Sequence, residues 1–454
     1  MRFIPNSSED IREMLTTIGK ESIDELFESI PADVRLDDLL DLPAPMSEIE
    51  LRRWFRTVAA KNFAGDEASS FLGAGVYRHY QPACVDQLLL RGEFLTAYTP
   101  YQPEVSQGTL QSIFEYQTHQ SLLTGLEVAN ASLYDGSTAF VEAVLMASRV
   151  RRNAKKVVVS RGVHPEYLET LTTYVQNLDI EIIVVELGED GRTDVSGIDA
   201  ALDETVFAVA VQNPNFFGVI EDYDAIRKAT ESKGDLIRIA VINEASSLGI
   251  LTPPGEHGFQ IACGEGQAWG IAPQFGGPFV GFLVAADELK RHMPGRLVGE
   301  TVDVDGKRAW VLTLASREQH IRRGKATSNI CTNQALIALA ANIYLSLMGK
   351  DGLREVAEQS LVKAAHLRRT LSSLEGVELP YEGPIYNEIL VRTGMPADDV
   401  VDAMAKRGIL AGVPLSRYFE DDSKGFLVAV TELHTKEELD RYASELAAVL
   451  GGGR

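Results

Sequence analysis

Between residue 66 and about residue 320, short apolar runs rich in β-branched residues alternate with helix-length stretches. The predicted strands are Lys156–Ser160, Glu181–Leu187, Phe207–Gln212, Leu236–Ile242 and Phe279–Ala285. Strands this apolar, each separated from the next by enough residues for a helix, are typical of a mostly parallel sheet covered on both faces. We therefore expect an α/β domain whose functional loops lie at the carboxyl ends of the strands.

Apolar residues recur at helical spacing in the acidic first 65 residues. The runs Asp10–Ile18, Ser22–Ile30 and Ser47–Lys61 each place them three or four positions apart. These runs predict three helices. We interpret residues 1–65 as an N-terminal helical arm that packs on a partner subunit.

The chain after about residue 330 has an α+β pattern. Cys331–Met348 predicts a long helix, and Glu388–Thr393 and Phe426–Glu432 predict strands. A capping box at Thr435–Glu438 predicts the start of a last helix, which ends at Gly451. The expected domains are residues 1–65, residues 66–325 and residues 326–454.

Composition and charge narrow the possible functions. The net charge is −22 at pH 7, which disfavours a broad phosphate-backbone footprint, so we do not expect nucleic acid as a partner. The longest apolar stretch, Leu336–Met348, is too short to span a membrane, and acidic residues near the N-terminus do not fit a signal peptide. The three cysteines, Cys84, Cys263 and Cys331, are far apart and odd in number, which favours a reducing compartment and hence the cytoplasm.

Asn130–Thr138 predicts a helix N-terminus with anion-binding character. Gly136, Ser137 and Thr138 would present N–H groups and hydroxyls where the helix dipole favours an anion. The alternative is a plain helix cap, because Asp, Ser and Thr are the usual capping residues.

Two further segments carry candidate chemistry. His164 follows Lys156–Ser160 and is placed either to stack on an aromatic ligand or to play a structural role. Gly264–Pro278 is dense in glycine, which indicates close backbone packing. It lacks the spacing of a P-loop, and the chain has no G-x-G-x-x-G opening a helix and no His or Cys pairs at metal-ligand spacing. We expect neither a nucleotide fold nor a metal site.

Two polar segments look suited to a binding cleft. Arg317–Asn329 concentrates four cations in an acidic chain, and Thr327, Ser328 and Asn329 offer hydroxyl and N–H groups to a phosphate before the predicted helix. The alternative for this segment is a solvated charged face. Residues 96–108 form a loop rich in hydrogen-bonding side chains, which predicts either a pocket wall or a rigid surface loop. Its candidate residues are Tyr98, Tyr101 and Glu104.

Taken together, these segments resemble the P-proteins of the glycine cleavage system, the glycine decarboxylases that depend on pyridoxal phosphate. The matching runs are 97–108, 130–139, 253–256 and 317–333. The resemblance covers essentially the whole chain and implies the fold-type I architecture of pyridoxal-phosphate enzymes. The length suits the N-terminal half of the protein, which some organisms make as a separate subunit. The resemblance then implies a heterotetramer, two copies each of this chain and a homologous subunit, that decarboxylates glycine and passes the aminomethyl group to the lipoyl arm of H-protein.

This sequence departs from the family pattern at two positions. Pyridoxal phosphate chemistry needs a lysine for the internal Schiff base, and counting back from Pro278 places Gln267 at the family's lysine position. The acid expected to pair with the pyridine nitrogen after the strand ending at Ile242 is replaced by Asn243. The resemblance therefore implies a vestigial pocket, in which Gly136, Ser137, Thr138 and His164 are relics or structural residues.

The resemblance also implies a contribution to the partner's site. Fold-type I enzymes usually build each site at a subunit interface, and some use a Gly-Thr segment of the neighbouring chain to bind phosphate. Thr327, with Ser328 and Asn329, matches that segment, so we expect it to contact the phosphate of a cofactor held covalently by the partner. Tyr98, Tyr101 and Glu104 are then expected to line the same cleft.

Three other interpretations stay open. The chain is a complete enzyme with Lys325 as the Schiff-base residue, or a scaffold that stabilises the catalytic subunit without touching its site, or a glycine-binding module. The first predicts a cofactor bound to the isolated chain, the second predicts full turnover after substitution of Tyr98 or Thr327, and the third predicts glycine affinity in the isolated chain.

Overall fold

The computed structural model describes residues 5–36, 38–62, 69–274 and 276–451. These residues belong to two units that divide after residue 63. The predicted domain boundary at residue 65 and the first residues of the predicted arm, 1–4, lie outside the described residues.

The first unit contains two capped helices, α1 (Ser8–Thr17) and α2 (Glu48–Ala59), each of which begins at a serine capping box. Both were predicted. The prediction of a helix over Ser22–Ile30 was wrong, because only Asp24–Phe27 forms a 3₁₀ turn. The apolar side chains of that run are largely exposed in this unit, and so short a helix is unstable without a surface to pack on.

The second unit contains the remaining helices. They are α3 (Ala83–Leu89), α4 (Gly92–Leu95), α5 (Gln107–Thr124), α6 (Gly136–Val150), α7 (Pro165–Val175), α8 (Val195–Ala201), α9 (Tyr223–Thr230), α10 (Gln319–Arg322), α11 (Ala335–Leu371), α12 (Ala397–Ala405) and α13 (Lys436–Gly451). Among the residues described in either unit, no helix has the length and apolar character needed to cross a bilayer.

The strands also belong to the second unit. They are β1 (Ser69–Ser70), β2 (Val128–Ala129), β3 (Lys156–Ser160), β4 (Glu181–Val185), β5 (Val206–Gln212), β6 (Ile237–Ile242), β7 (Ile261–Glu265), β8 (Gly281–Ala285), β9 (Leu297–Val302), β10 (Arg308–Thr313), β11 (Val377–Glu378), β12 (Glu388–Thr393), β13 (Ile409–Leu410), β14 (Val413–Pro414) and β15 (Gly425–Ala429). Strands β9 and β10 form a separate antiparallel hairpin, and β1 pairs in parallel with β13.

The central sheet has seven strands in the order β2-β8-β7-β6-β5-β3-β4. Strands β4, β3, β5, β6 and β7 are parallel, whereas β8 and β2 run antiparallel. The mostly parallel α/β sheet is therefore confirmed. The strand β7 was missed, because Gly264 interrupts its apolar run; a Cβ at Gly264 would lie 1.8 Å from the Ile242 carbonyl oxygen, so the close strand pairing requires glycine.

Alternate residues of the parallel strands fill two separate apolar layers. Val157 and Val159 of β3 pack in the cluster that contains Phe140 of α6, and Val158 packs in the cluster that contains Trp269. This division follows from the two-residue repeat of a strand, which sends successive side chains to opposite faces. The buried layers hold the carboxyl ends of the strands, where the site residues lie, in fixed positions.

The C-terminal part builds a four-stranded antiparallel sheet in the order β11-β12-β15-β14. The helix predicted at Cys331–Met348 begins only at Ala335 and resumes beyond Gly349, whose φ of 57° interrupts it, as far as Leu371. The predicted capping box is confirmed, since the Thr435 N–H donates to the Glu438 carboxylate at 2.8 Å and the Glu438 N–H donates back to the Thr435 hydroxyl at 3.2 Å.

Candidate active site

Four residues singled out in the sequence meet at one small cavity at the carboxyl ends of β3 and β6. Gly136, Ser137, His164 and Asn243 line this cavity, whose volume is about 140 Å³. Thr138 lies in the same first turn of α6, next to the lining residues. The sequence thus identified one real pocket from three segments that are far apart along the chain.

His164 is held as a neutral ring by contacts within the chain. Its Nε2 donates to the Ala74 carbonyl oxygen at 2.9 Å, and its Nδ1 accepts the Glu166 N–H at 3.2 Å. The ring stacks on Tyr167 at 5.2 Å between centroids. Burial lowers the pKa of His164, so the uncharged form is favoured. Both ring nitrogens are therefore engaged within the chain.

Residues 73–77, which we call the strap, cross the cavity. A Cβ at Gly75, where φ is 102°, would lie 2.8 Å from His164 Nε2. Glu388 of β12 anchors the strap by accepting the Ala74 N–H and the Tyr77 hydroxyl, each at 2.7 Å. Burial raises the pKa of Glu388 to about 7 against the opposing effect of these bonds. No sequence motif indicated the strap.

Gln267 fastens the end of the strap. Its Oε1 accepts the Tyr77 N–H at 3.0 Å, and its Nε2 donates to the carbonyl oxygens of Tyr77 at 2.9 Å and Ile271 at 2.6 Å. The side chain is buried. The amide therefore uses its donors and its acceptor on the backbone of its own chain.

Only one of the two polar side-chain atoms of Asn243 has a hydrogen-bond partner among the described residues. Its Nδ2 donates to the Tyr167 hydroxyl at 2.9 Å. Its Oδ1 is buried and has no hydrogen-bond partner among the residues that the structure describes. A buried acceptor in this condition is uncommon in native proteins.

Carboxylates occupy the start of α6. Asp135 caps the helix by accepting the Ser137 hydroxyl and the Thr138 N–H, both at 2.8 Å. Glu265, the last residue of β7, accepts the Gly136 N–H at 2.9 Å. The sequence analysis had named the donors but not Glu265, whose strand it did not detect.

The two polar segments expected at an interface lie outside this cavity. Tyr98 and Tyr101 are 68% and 76% exposed, with ring centroids 6.3 Å apart, and Glu104 is exposed in the same loop. Arg296 donates both to the Thr99 hydroxyl and, at 3.4 Å, to the Cys331 carbonyl oxygen. The loop at 96–106 and the segment that follows Asn329 are therefore tied to the same side chain.

The expectation that Thr327–Asn329 directly precede a helix was wrong. Helix α11 begins at Ala335, and Cys331–Gln334 have no regular secondary structure. The Thr327 N–H donates to the Arg317 carbonyl oxygen at 3.1 Å, and the Ser328 hydroxyl donates to Glu142 at 2.7 Å. The segment is a loop held by these two hydrogen bonds rather than a helix N-terminus.

The model of the glycine cleavage system P-protein family matches residues 1–446. The chain belongs to this family. A relative from Carboxydothermus hydrogenoformans, "Probable glycine dehydrogenase (decarboxylating) subunit 1", is 48% identical over 455 residues, covering 100% of each chain. One from Moorella thermoacetica with the same name is 47% identical, covering 99% of this chain and 100% of the relative.

Solved structures agree with the family. A crystal structure titled "glycine decarboxylase (P-protein) of the glycine cleavage system, in inhibitor-bound form" is 43% identical, covers 99% of this chain and 100% of that one, and superposes with a TM-score of 0.88. Glutamate decarboxylase from Lactobacillus brevis is only 14% identical, covering 95% and 97%, with a TM-score of 0.69, which shows the fold alone. The predicted fold-type I architecture of pyridoxal-phosphate enzymes is confirmed.

The cavity of this P-protein chain does not fit pyridoxal phosphate. Gln267 has no amine to condense with an aldehyde, and none of the described lining residues is a lysine. Asn243 supplies no negative charge for a protonated pyridine. The volume of about 140 Å³ is less than half of the roughly 300 Å³ at which small-molecule pockets begin. Ala74, Gly75 and Val76 of the strap form part of the lining.

A second buried network lies beyond the strap and was not foreseen. His79 contacts Glu432 at 2.7 Å through Nδ1 and Glu244 at 3.2 Å through Nε2, and its side chain is 2% exposed. Burial opposes the charged ring, but the two carboxylates outweigh it and raise the pKa of His79 to about 10. A buried imidazolium between two carboxylates thus fixes the chain just after the strap. The three residues are far apart in sequence, so no motif revealed them.

Proposed function

We propose that this chain is the subunit without the Schiff-base lysine in a two-subunit glycine decarboxylase, and that a homologous partner binds pyridoxal phosphate covalently. The proposed enzyme releases carbon dioxide from glycine and passes the aminomethyl group to the lipoyl arm of H-protein. The observation that carries the proposal is Gln267, whose amide is committed to the backbone of Tyr77 and Ile271. Family membership together with this missing amine supports chemistry in a neighbouring chain.

The exposed segments support a role at the partner's site. Large aromatic side chains as exposed as Tyr98 and Tyr101 are typical of interaction surfaces. We infer that they line the partner's cleft together with Glu104 of the same loop, and that Glu104 orients glycine there. Thr327 is the residue we assign to the phosphate of the partner's cofactor.

Ser328 and Asn329 have different parts in the same proposal. The Ser328 hydroxyl already donates to Glu142, so we assign it to holding the segment in place while its neighbours contact the phosphate. Asn329 is exposed and free to approach the partner.

The N-terminal unit supports assembly with another subunit. Ile49, Trp54 and Phe55 of α2 are 65%, 49% and 56% exposed, an apolar face that is costly to leave in water. We infer that this arm packs on a partner, in an assembly of two copies of each subunit. The domain boundaries near residues 65 and 325 and a cytoplasmic location belong to the same proposal.

Co-expression with the homologous subunit tests the proposal. Borohydride reduction of the purified complex, followed by peptide mass spectrometry, is expected to find the cofactor on a lysine of the partner and none on this chain. Release of carbon dioxide from glycine is expected only when both subunits and lipoylated H-protein are present. A stoichiometric pyridoxyl group on Lys325, or on another lysine of this chain, would overturn the proposal.

The scaffold interpretation gives a different result in the same complex. A scaffold predicts full turnover after alanine substitution of Tyr98, Tyr101 or Thr327, provided that the complex still assembles. Isothermal titration of the isolated chain with glycine addresses the third interpretation, and we expect no binding.

A further inference from the structure

The polar groups at the two ends of the vestigial cavity differ in their hydrogen bonding. At the end where a pyridine ring would lie, Asn243 keeps a buried acceptor without a partner among the described residues. At the opposite end, the donors of the α6 N-terminus are paired with carboxylates of the same chain: Gly136 with Glu265, and Ser137 and Thr138 with Asp135. One end of the cavity therefore has its donors paired within the chain, and the other end keeps an acceptor without a described partner.

Glu265 is held firmly in that position. Its second oxygen, Oε1, accepts the Val280 N–H at 2.9 Å, so each oxygen has a backbone donor. The residue is 4% exposed. Burial raises the pKa of Glu265 to about 7 although the Val280 and Gly136 N–H groups lower it. A carboxylate placed on a helix N-terminus takes the position that the helix dipole offers to a bound anion.

The surroundings exclude a second anion. Tyr167 closes the space in front of the helix, since a Cβ at Gly136 would lie 2.0 Å from its hydroxyl oxygen. Asp135 and Glu166 also line the cavity, and no described lining residue is an arginine or lysine. A phosphate would meet three carboxylates at close range with no cation to balance them.

We propose that Glu265 is an internal ligand that replaces the phosphate of a cofactor at the N-terminus of α6. Asp135 assists by capping the remaining donors. This inference rests on the proposed function and adds to it: the chain rejects phosphorylated cofactors even apart from the missing lysine. Restoring a lysine by Gln267→Lys alone then leaves the cavity unable to hold pyridoxal phosphate.

Binding of inorganic phosphate to the full-length chain tests the proposal. Equilibrium dialysis with labelled phosphate is expected to show no specific site in the wild type. Glu265→Ala frees the Gly136 N–H, removes one charge and vacates the volume of a buried side chain. It is expected to create a specific phosphate site whose affinity exceeds the upper limit measured for the wild type by roughly tenfold or more, the factor that corresponds to one charge-assisted hydrogen bond. Adding Ser137→Ala should weaken the new binding, because the site lies at that helix turn.

Glu166→Ala is the matched control, because Glu166 is an exposed acid that lines the same cavity and its carboxylate contacts no donor of α6 in the hydrogen bonds described. It is expected to bind no phosphate. Specific phosphate binding by the wild type, or none by a folded Glu265→Ala chain, would overturn the proposal.

Crystals of the wild-type chain grown in phosphate give a result that needs no variant. Density is expected to show Glu265 on the Gly136 N–H, and a phosphate in that place would contradict the inference. These outcomes are independent of turnover by the assembled enzyme. Failure of the internal-ligand proposal is thus distinguishable from failure of the proposed function, which the borohydride experiment decides.

Discussion

The small cavity at the carboxyl ends of β3 and β6 and the exposed loop at 96–106 differ in how their polar groups are used. His164, which lines the cavity, and Gln267, which holds the end of the strap, are buried and bonded within the chain, whereas Tyr98 and Tyr101 are exposed to solvent. A polar group committed to its own backbone stabilises the fold but has little left for a ligand. The difference shows that His164 and Gln267 have their polar atoms committed within the chain, and under the proposed function the exposed loop then carries the contacts to a partner.

Gln267→Ala gives the largest expected effect on the cavity side of this comparison. It leaves two groups of Tyr77 and one of Ile271 without their partner, which should lower the free energy of unfolding by about 3 kcal/mol. Turnover per assembled complex should be retained. Urea unfolding measures the loss, and Gln111→Ala, which removes an exposed glutamine bonded to Glu115, should change stability by less than about 0.5 kcal/mol. A large loss of turnover without a loss of stability would mean that Gln267 serves the activity rather than the fold.

Tyr98→Ala combined with Tyr101→Ala tests the exposed side. In the complex with the partner, turnover is expected to fall by roughly tenfold or more while the midpoint of unfolding of the chain stays unchanged. Tyr174→Ala, which removes a tyrosine that is 48% exposed on α7, is the control and should leave turnover intact. Unaltered turnover in the double variant would instead support the scaffold interpretation.

Thr327→Ala and Ser328→Ala separate the two roles proposed for this loop: Thr327 contacts the partner's cofactor, and Ser328 holds the loop in place. Thr327→Ala should weaken retention of the partner's cofactor several-fold, an effect measured by cofactor loss during dialysis of the complex. Ser328→Ala removes the hydrogen bond to Glu142 and should lower stability by about 1 kcal/mol. If cofactor occupancy is the same in the Thr327 variant and the wild type, the assignment of that residue is wrong.

The last expected effect, on the buried network beyond the strap, is a pH dependence of stability from His79. Because its pKa rises from 6.5 to about 10 on folding, the stabilisation is fully present below pH 6.5 and is lost as the pH rises through about 10. The midpoint of urea unfolding should therefore decrease from pH 7 to pH 10, and His79→Gln should flatten that decrease. His320→Gln, at an exposed histidine, should keep the wild-type slope.

Local patterns predicted much of the fold. Strands β3 and β12 have the predicted bounds, because each is an apolar run bounded by polar or turn residues. The wrong or missing elements share a cause outside the local sequence. The run Ser22–Ile30 lacks a packing surface, and β7 exists because Gly264 fits against Ile242.

The sequence indicated which residues of the candidate site depart from the family pattern, but not which groups of the chain contact them. Gln267 and Asn243 were recognisable as departures from a family pattern. The strap was not, because Tyr77 and Gln267 are 190 positions apart and neither belongs to a motif with the other. Glu265 was missed for the same reason, since its partner Gly136 lies 129 positions away.

The amino-acid sequence by itself determined which chemistry is impossible in this chain, because a side chain's functional groups do not depend on the fold: an amide at position 267 supplies no amine, and an amide at 243 no charge. It also determined the mostly parallel sheet through its apolar runs. Only the tertiary structure decided which groups pair with the buried polar side chains around the cavity. Buried polar groups must find hydrogen-bond partners, and those partners came from segments that are adjacent only after the chain has folded.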